Sequence, residues 1–240
     1  MTTTTEGETW TAPVNQTDTL KKNANGAWYG TGPAGGVQAD SGKLVTATCE
    51  NSVPGQAGVT KTASLISSDG KSWALGDWMP VGNTPGGGEP VVTKLGNGTL
   101  AMLTRTPANA SAAKQHPGSA VSHALSFSHD DGQNWSPASA LFDIRSPNCQ
   151  GSVLADEKRI FVGSPCGTSR SNFTIFASDD GGRSFRVFLN PWPGEHSLAA
   201  YSSLEMLDSA KGVAGCLYER GTKTSTDSLE LAIFGSRAPL

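Results

Sequence analysis

Ser128-His129-Asp130-Asp131-Gly132-Gln133-Asn134-Trp135 decides the fold, because the chain writes it more than once. Ser178-Asp179-Asp180-Gly181-Gly182-Arg183-Ser184-Phe185 repeats it, and Ser67-Ser68-Asp69-Gly70-Lys71-Ser72-Trp73 repeats it one residue shorter. A fourth copy, Thr3 to Trp10, keeps Gly7-Glu8-Thr9-Trp10 but has Thr5 in place of the aspartate. The shared pattern is Ser/Thr-x-Asp-x-Gly-x-x-aromatic. Ser and Asp side chains bond to backbone groups a few residues on and so fix a turn. Glycine supplies a backbone angle that other residues resist, and the aromatic returns to the core. Alternating runs precede two copies, Ala124-Leu125-Ser126-Phe127-Ser128 and Phe173-Thr174-Ile175-Phe176-Ala177-Ser178, so each copy closes a hairpin. The aromatic ends fall at Trp10, Trp73, Trp135 and Phe185. Those intervals suit four-stranded propeller blades of roughly 40–60 residues with their loops. The expected architecture is an all-β propeller of about four blades, a single domain over residues 1–240 without a linker.

Composition agrees. The 240 residues include 29 Gly and 14 Pro, carry little charge, and show short apolar runs without sustained helical periodicity. No run is long enough to span a membrane, and no signal-type apolar stretch follows Met1. A net charge of -3 leaves no basic footprint for nucleic acid. An acidic ligand must then be met by a local cluster of cations. Cys49, Cys149, Cys166 and Cys216 form neither a CxxC pair nor a zinc spacing and read as four small buried thiols. His116, His123, His129 and His196 show no ligand spacing, so neither a metal nor a cofactor is expected.

Between the repeats, Gly30 to Cys49 reads as a Gly/Pro turn followed by strands, and Pro54 to Ser72 as a hairpin ending in the short copy. Trp78 to Gly88 reads as a loop. Pro90-Val91-Val92 and Leu100 to Leu103 pair around the tight turn Gly96-Asn97-Gly98. Ala108 to Gly118 is a polar insertion, Gln150 to Val162 holds two short strands, and Leu204 to Phe234 supplies the last ones.

The repeat resembles the Asp-box of the sialidase (neuraminidase) propellers, where it is scaffold. Five further segments resemble that family in order and spacing: Gly32-Pro33-Ala34-Gly35-Gly36-Val37-Gln38 with Gly42-Lys43-Leu44-Val45; Gly88-Glu89-Pro90-Val91-Val92 with Thr104-Arg105; Gly167 to Thr174, containing Arg170; Ala200-Tyr201-Ser202-Ser203-Leu204; and Gly215 to Arg220, containing Glu219. The resemblance implies a six-bladed parent fold and an exo-α-sialidase that removes terminal sialic acid from glycoproteins, glycolipids such as gangliosides, and oligosaccharides. It implies Tyr201 as nucleophile, Glu89 as its base, Arg105 and Arg170 on the substrate carboxylate, and Glu219 in support of a further arginine.

The chemistry needs these residue types. Arginine forks grip a carboxylate and stay charged at every working pH. The carboxylate on the anomeric carbon of sialic acid would repel an Asp or Glu nucleophile, and sialidases accordingly use tyrosine. A phenol attacks poorly unless a base takes its proton. Taken singly, Arg105 and Arg170 read as surface cations, Glu89 as a loop acid, Tyr201 as a core aromatic and Glu219 as the partner of Arg220 or Lys223. A non-catalytic Asp-box module for carbohydrate or protein is the alternative, and a trans-sialidase would share the same residues. Two family parts have no counterpart: no arginine precedes Arg105, and Asp18, Asp40, Asp69 and Asp77 stand in the wrong context for the acid/base aspartate. The chain therefore looks like the C-terminal two-thirds of a sialidase catalytic domain. Alone it is expected to be a weak or inactive enzyme with exposed blade faces.

Overall fold

The computed structural model describes residues 1–21, 28–53, 56–80, 87–106, 123–193 and 197–237. These residues form four antiparallel sheets arranged as propeller blades. The first contains β1 (Trp28–Gln38), β2 (Leu44–Val53), β3 (Gln56–Ser67) and β4 (Ala74–Leu75). The second contains β5 (Gly88–Lys94), β6 (Leu100–Arg105), β7 (His123–Ser128) and β8 (Ser139–Ala140). The third contains β9 (Ser152–Ala155), β10 (Ile160–Pro165), β11 (Phe173–Ser178) and β12 (Arg186–Leu189). The fourth has three strands, β13 (Leu198–Asp208), β14 (Val213–Gly221) and β15 (Ser228–Gly235). One helical turn, α1 (Thr17–Leu20), lies against β4.

Each apolar cluster is an interface between neighbouring blades. Val45, Ala47, Val92, Met102 and Trp135 join the first to the second. Leu103, Leu125, Ile160, Val162, Phe176 and Phe185 join the second to the third. Phe161, Phe173, Leu204, Cys216, Tyr218 and Phe234 join the third to the fourth, with the Phe173 and Tyr218 rings stacked at 4.6 Å. Sheets buried on both faces explain why runs such as Phe173–Ser178 are enclosed along their whole length. Beyond the last blade, Leu217, Leu229, Leu231 and Ile233 stay exposed, and the register of β14 with β15 puts them on one face.

The repeats close β3–β4, β7–β8 and β11–β12. In each, the Ser hydroxyl accepts from a glycine N–H: Gly70 to Ser67 at 2.9 Å, Gly132 to Ser128 at 2.9 Å and Gly182 to Ser178 at 2.8 Å. The Asp carboxylate accepts further amides, Ser72 at 2.7 Å, Asn134 at 2.9 Å and Ser184 at 3.0 Å. The Ser72 and Lys71 amides hold the Asp69 carboxyl down at about 2, and the Ser184 hydroxyl together with its amide holds the Asp180 carboxyl lower still. The count of four repeats and the count of four blades do not correspond one to one. Thr3–Trp10 belongs to no sheet, and the fourth blade forms without a copy.

Two sequence expectations change. Gly30–Val37 is strand, not turn. Its glycines serve close approach: a Cβ on Gly32 would sit 1.7 Å from the Pro90 carbonyl oxygen, and Gly35 adopts φ +75° where the register shifts. Pro54 to Ser72 is not a hairpin of its own, since β3 runs as one strand back along β2. The Gly96-Asn97-Gly98 turn and the two strands within Gln150–Val162 form as expected. Cys49, Cys149 and Cys216 are buried free thiols, whereas Cys166 is half-buried. The Ala108–Gly118 insertion, part of the Trp78–Gly88 loop, and His116 and His196 lie outside the described residues.

Candidate active site

Inner-strand hairpins place their turns on one face of the propeller and their open ends on the other. Glu89 stands at the start of β5 and Arg105 at the end of β6, adjacent because Gly88 pairs with Arg105. Between Gly88 and Val91 the register slips, and Glu89 takes a left-handed φ of +42°. Such a conformation is costly for a residue with a Cβ and is typical of functional positions. It turns the carboxylate inward over the neighbouring blades.

Tyr201 comes from the fourth blade. Its hydroxyl donates to Glu89 Oε1. Arg105 Nη1 donates to Glu89 Oε2 at 2.6 Å and to the Tyr201 hydroxyl at 3.3 Å. Arg170 lies in the β10–β11 connection, which is tied to the start of β13: Ala199 N–H donates to the Arg170 carbonyl at 2.9 Å. Its guanidinium sits 5.6 Å over the Tyr201 ring. Among the described residues Arg170 has no carboxylate partner; one of its N–H groups donates to the Asn148 carbonyl at 3.3 Å. Glu219, on β14, accepts the Tyr201 backbone N–H at 2.9 Å. All five residues singled out in the sequence thus meet in one place, although four strands, β7 to β10, separate Arg105 from Arg170 along the chain.

Asn148 was not singled out. Its Oδ1 accepts Arg105 Nε at 2.8 Å while its carbonyl accepts from Arg170, so one residue ties both arginines. Nothing in the sequence around Asn148 announces this, because an Asn in a Ser-Pro-Asn-Cys loop reads as a turn residue. His123, beside Arg105 in the sheet, bonds Ser146 at 2.9 Å and anchors the same loop from below. Asn148, Glu89, Arg105, Trp28, Cys49 and Thr60 line a cavity of about 250 Å³.

Electrostatics follow from burial and proximity. Burial pushes the Tyr201 phenol above its ordinary value, and the Glu89 carboxylate adds to this, while Arg105 and Arg170 pull the other way. For Arg105 burial works against the charge, but Glu89 more than offsets it and holds the guanidinium charged. Burial raises the Cys149 thiol to about 11 despite both arginines, so it stays protonated at neutral pH. The His123 imidazole is pushed down to about 4 by burial and by Arg105.

A larger cavity, about 950 Å³, lies on the opposite, hairpin-turn face, lined among others by Asp40, Lys94, Arg159 and Asp179. Four of its charges pair, Lys94 with Asp40 and Arg159 with Asp179, both at 2.7 Å. The phenol–carboxylate contact and an arginine with no carboxylate partner among the described residues single out the smaller cavity as the candidate site. Among the described residues no group of three His, Cys, Asp or Glu is placed to hold a metal. Of the aspartates weighed for an acid role, Asp40 is on that opposite face and Asp69 caps its own turn.

The BNR repeat-like domain family matches residues 1–211. The chain belongs to that family. In sequence it is similar to a curated sialidase, and in fold to solved trans-sialidases. A sialidase from Bacteroides fragilis (strain YCH46) is 27% identical over 238 residues, covering 90% of this chain and 38% of the relative. The intramolecular trans-sialidase from Ruminococcus gnavus, solved with oseltamivir carboxylate, superposes with a TM-score of 0.70 at 20% identity, over 96% of this chain and 48% of that one. The leech intramolecular trans-sialidase, solved with 2,7-anhydro-Neu5Ac, gives 0.61 at 22% identity, over 87% and 32%. The chain thus spans less than half the length of each of these three.

Proposed function

We propose that this BNR propeller is an exo-α-sialidase acting on terminal α-linked sialic acid of glycoproteins, glycolipids including gangliosides, and oligosaccharides. The observation that carries the reading is the hydrogen bond from the Tyr201 hydroxyl to Glu89, flanked by Arg105 and by Arg170, which has no carboxylate partner among the described residues. Arg170 and the Arg105 Nη2, which Glu89, Tyr201 and Asn148 leave free among the described residues, receive the sugar carboxylate. Glu89 takes the phenol proton as the Tyr201 oxygen attacks the anomeric carbon. The C–O bond to the aglycone breaks with its electron pair on the leaving oxygen. Water then attacks the tyrosyl-glycosyl intermediate from the face the aglycone left and gives its proton to solvent, Tyr201 leaves with its own proton restored by Glu89, and the configuration is retained. Arg105, shared between Glu89 and the phenol oxygen, stabilises the charge that passes between them.

Among the described residues, the only carboxylate bonded to Tyr201, Arg105 or Arg170 side chains is Glu89. That feature favours a second reading, a sialoside-binding propeller without turnover. It also makes a graded test. A phenolic leaving group departs as an anion, whereas an alkyl alcohol needs a proton; lack of a positioned acid typically costs about 10²–10⁴ in rate. The test is hydrolysis of a fluorogenic aryl α-sialoside beside a natural sialyl-oligosaccharide, with product identification. The reading expects free sialic acid from the aryl substrate, strongly reduced turnover of the natural one, and loss of both in Tyr201→Phe. Sialic-acid binding abolished by Arg170→Ala, without turnover of either substrate, would establish the binding module instead. A well-folded chain with neither binding nor turnover sinks both.

A further inference from the structure

Tyr201 stands in a β-bulge. Ala199 pairs with Arg220 and Ser202 with Tyr218, so Ala200 and Tyr201 together oppose the single residue Glu219. A bulge re-aims a side chain but leaves backbone groups outside the ladder, and buried ones must find partners. Tyr201 N–H goes to the Glu219 carboxylate. The next residue, Ser202, has both backbone groups taken by one side chain. Ser202 N–H donates to Gln150 Oε1 at 2.9 Å, and Gln150 Nε2 donates to the Ser202 carbonyl at 3.0 Å. The carboxamide of Gln150 thereby takes the place of a strand on that edge of β13. Gln150 is 0% exposed, and the Ser202 hydroxyl is held as well, 2.7 Å from that of Ser152.

We propose that Gln150 is the positioning residue for Tyr201: its carboxamide, reaching from the second-to-third blade connection, clamps the Ser202 peptide and so sets the bulge that aims the phenol at Glu89. The same connection carries Asn148, which ties the arginines. One six-residue segment, 145–150, therefore references the nucleophile and the carboxylate grip to each other across three blades. The catalytic part of this inference rests on the hydrolase reading; the structural part does not.

The clamp needs one acceptor and one donor. Met in place of Gln keeps the length and loses both. Glu keeps the acceptor but, ionised, loses the donor and regains it only when protonated. Two measurements on the full chain decide the matter. The first is a pH titration of 13Cζ-tyrosine-labelled protein, in which the Tyr201 signal is identified by its absence from Tyr201→Phe. In the native chain Tyr201 is expected to titrate above an ordinary tyrosine. In Gln150→Met its midpoint is expected to fall by about one pH unit as the Glu89 contact loosens, with the Tyr29 and Tyr218 signals unchanged. The second is turnover of the aryl sialoside. Gln150→Met is expected to lose about 10- to 100-fold in kcat with KM within about threefold, because the arginines stay in place. Gln150→Glu is expected to recover toward the native rate as pH falls and its carboxyl protonates, both rates being compared at each pH. A Tyr201 titration that both variants leave unchanged overturns the proposal. So does a kcat loss in Gln150→Glu that acidification does not reverse. If the native chain shows no turnover, the hydrolase reading fails and the tyrosine titration alone decides the clamp. Should Gln150→Met not fold, Gln150→Glu, which retains shape and acceptor, carries both measurements.

Discussion

The turn at Ser128–Trp135 and the cluster around Tyr201 are both made of charged and hydroxyl side chains, yet they are built on opposite scales. The side-chain bonds of Asp130 close within four residues. The Glu89–Tyr201 bond joins residues 112 apart in the sequence, and the Gln150 clamp spans 52. A local motif satisfies its own polar groups wherever it stands. A long-range cluster exists only when the blades are stacked, and among the described residues it leaves Arg170 without a carboxylate partner. Substitution in the first should therefore change stability and spare binding; substitution in the second should do the reverse.

That division can be broken most sharply at Tyr201. Tyr201→Phe is expected to reduce aryl-sialoside turnover by about 10³-fold or more while the thermal midpoint stays close to the native one; an equal loss of stability would erase the distinction. Trp135→Ala is the mirror case. Trp135 is 5% exposed, packs between the first two blades and donates to Ser64 Oγ at 2.8 Å. Urea unfolding should show a loss of about 3–5 kcal/mol, with KM unaltered in whatever fraction remains folded.

His123 lies between the two regimes, a core residue beneath Arg105. Its imidazole is depressed from 6.5 to about 4 in the fold, so the unfolded chain binds its proton first. The stability contribution is complete above about 6.5 and is lost as pH falls toward about 4, amounting to about 3 kcal/mol across the window. Urea midpoints measured from pH 7 to pH 4.5 should fall accordingly, and His123→Gln should flatten that part of the profile. A smaller effect is expected at the turn. Asp130→Ala removes bonds to a largely solvated carboxylate, and about 1 kcal/mol is the expected cost, with turnover unchanged.

The smallest effect tests what the motif means. Thr3–Trp10 reproduces the turn bond for bond. Gly7 N–H donates to Thr3 at 3.2 Å, Thr9 N–H to Thr5 at 2.8 Å, and Trp10 Nε1 to the Gly7 carbonyl at 2.9 Å. Glu6 and Gly7 take the same left-handed angles as Asp131 and Gly132. Yet Trp10 is 58% exposed and packs into no blade interface. Trp10→Ala should change the unfolding free energy by less than about 0.5 kcal/mol. A loss comparable to that of Trp135→Ala would mean that the turn itself, without its core, stabilises the chain.

Much of the site was legible because segments of the chain resemble those of sialidases in order and spacing, and Tyr201, Glu89, Arg105 and Arg170 stand in them. Asn148 and Gln150 were not legible. Their role is to bond backbone and guanidinium groups on other blades, and a carboxamide in a loop has no local pattern that marks such a partner. The glycines of Gly30–Val37 misled for a related reason. A glycine that makes room for the Pro90 carbonyl of the next blade looks, in one dimension, like a glycine that makes a turn.

By itself, then, the sequence determined what is local: turns capped within four or five residues, strands alternating into them, and the residue types that suit a carboxylated sugar. Only the tertiary structure decided which turns are anchored, that a blade forms without any repeat, and that Glu89 and Tyr201 share a proton's breadth of space. The physical reason is range. Hydrogen bonds between near neighbours are encoded in the spacing of a few residues, whereas bulges, blade packing and the clamp on Ser202 depend on strands brought together only after the chain has folded.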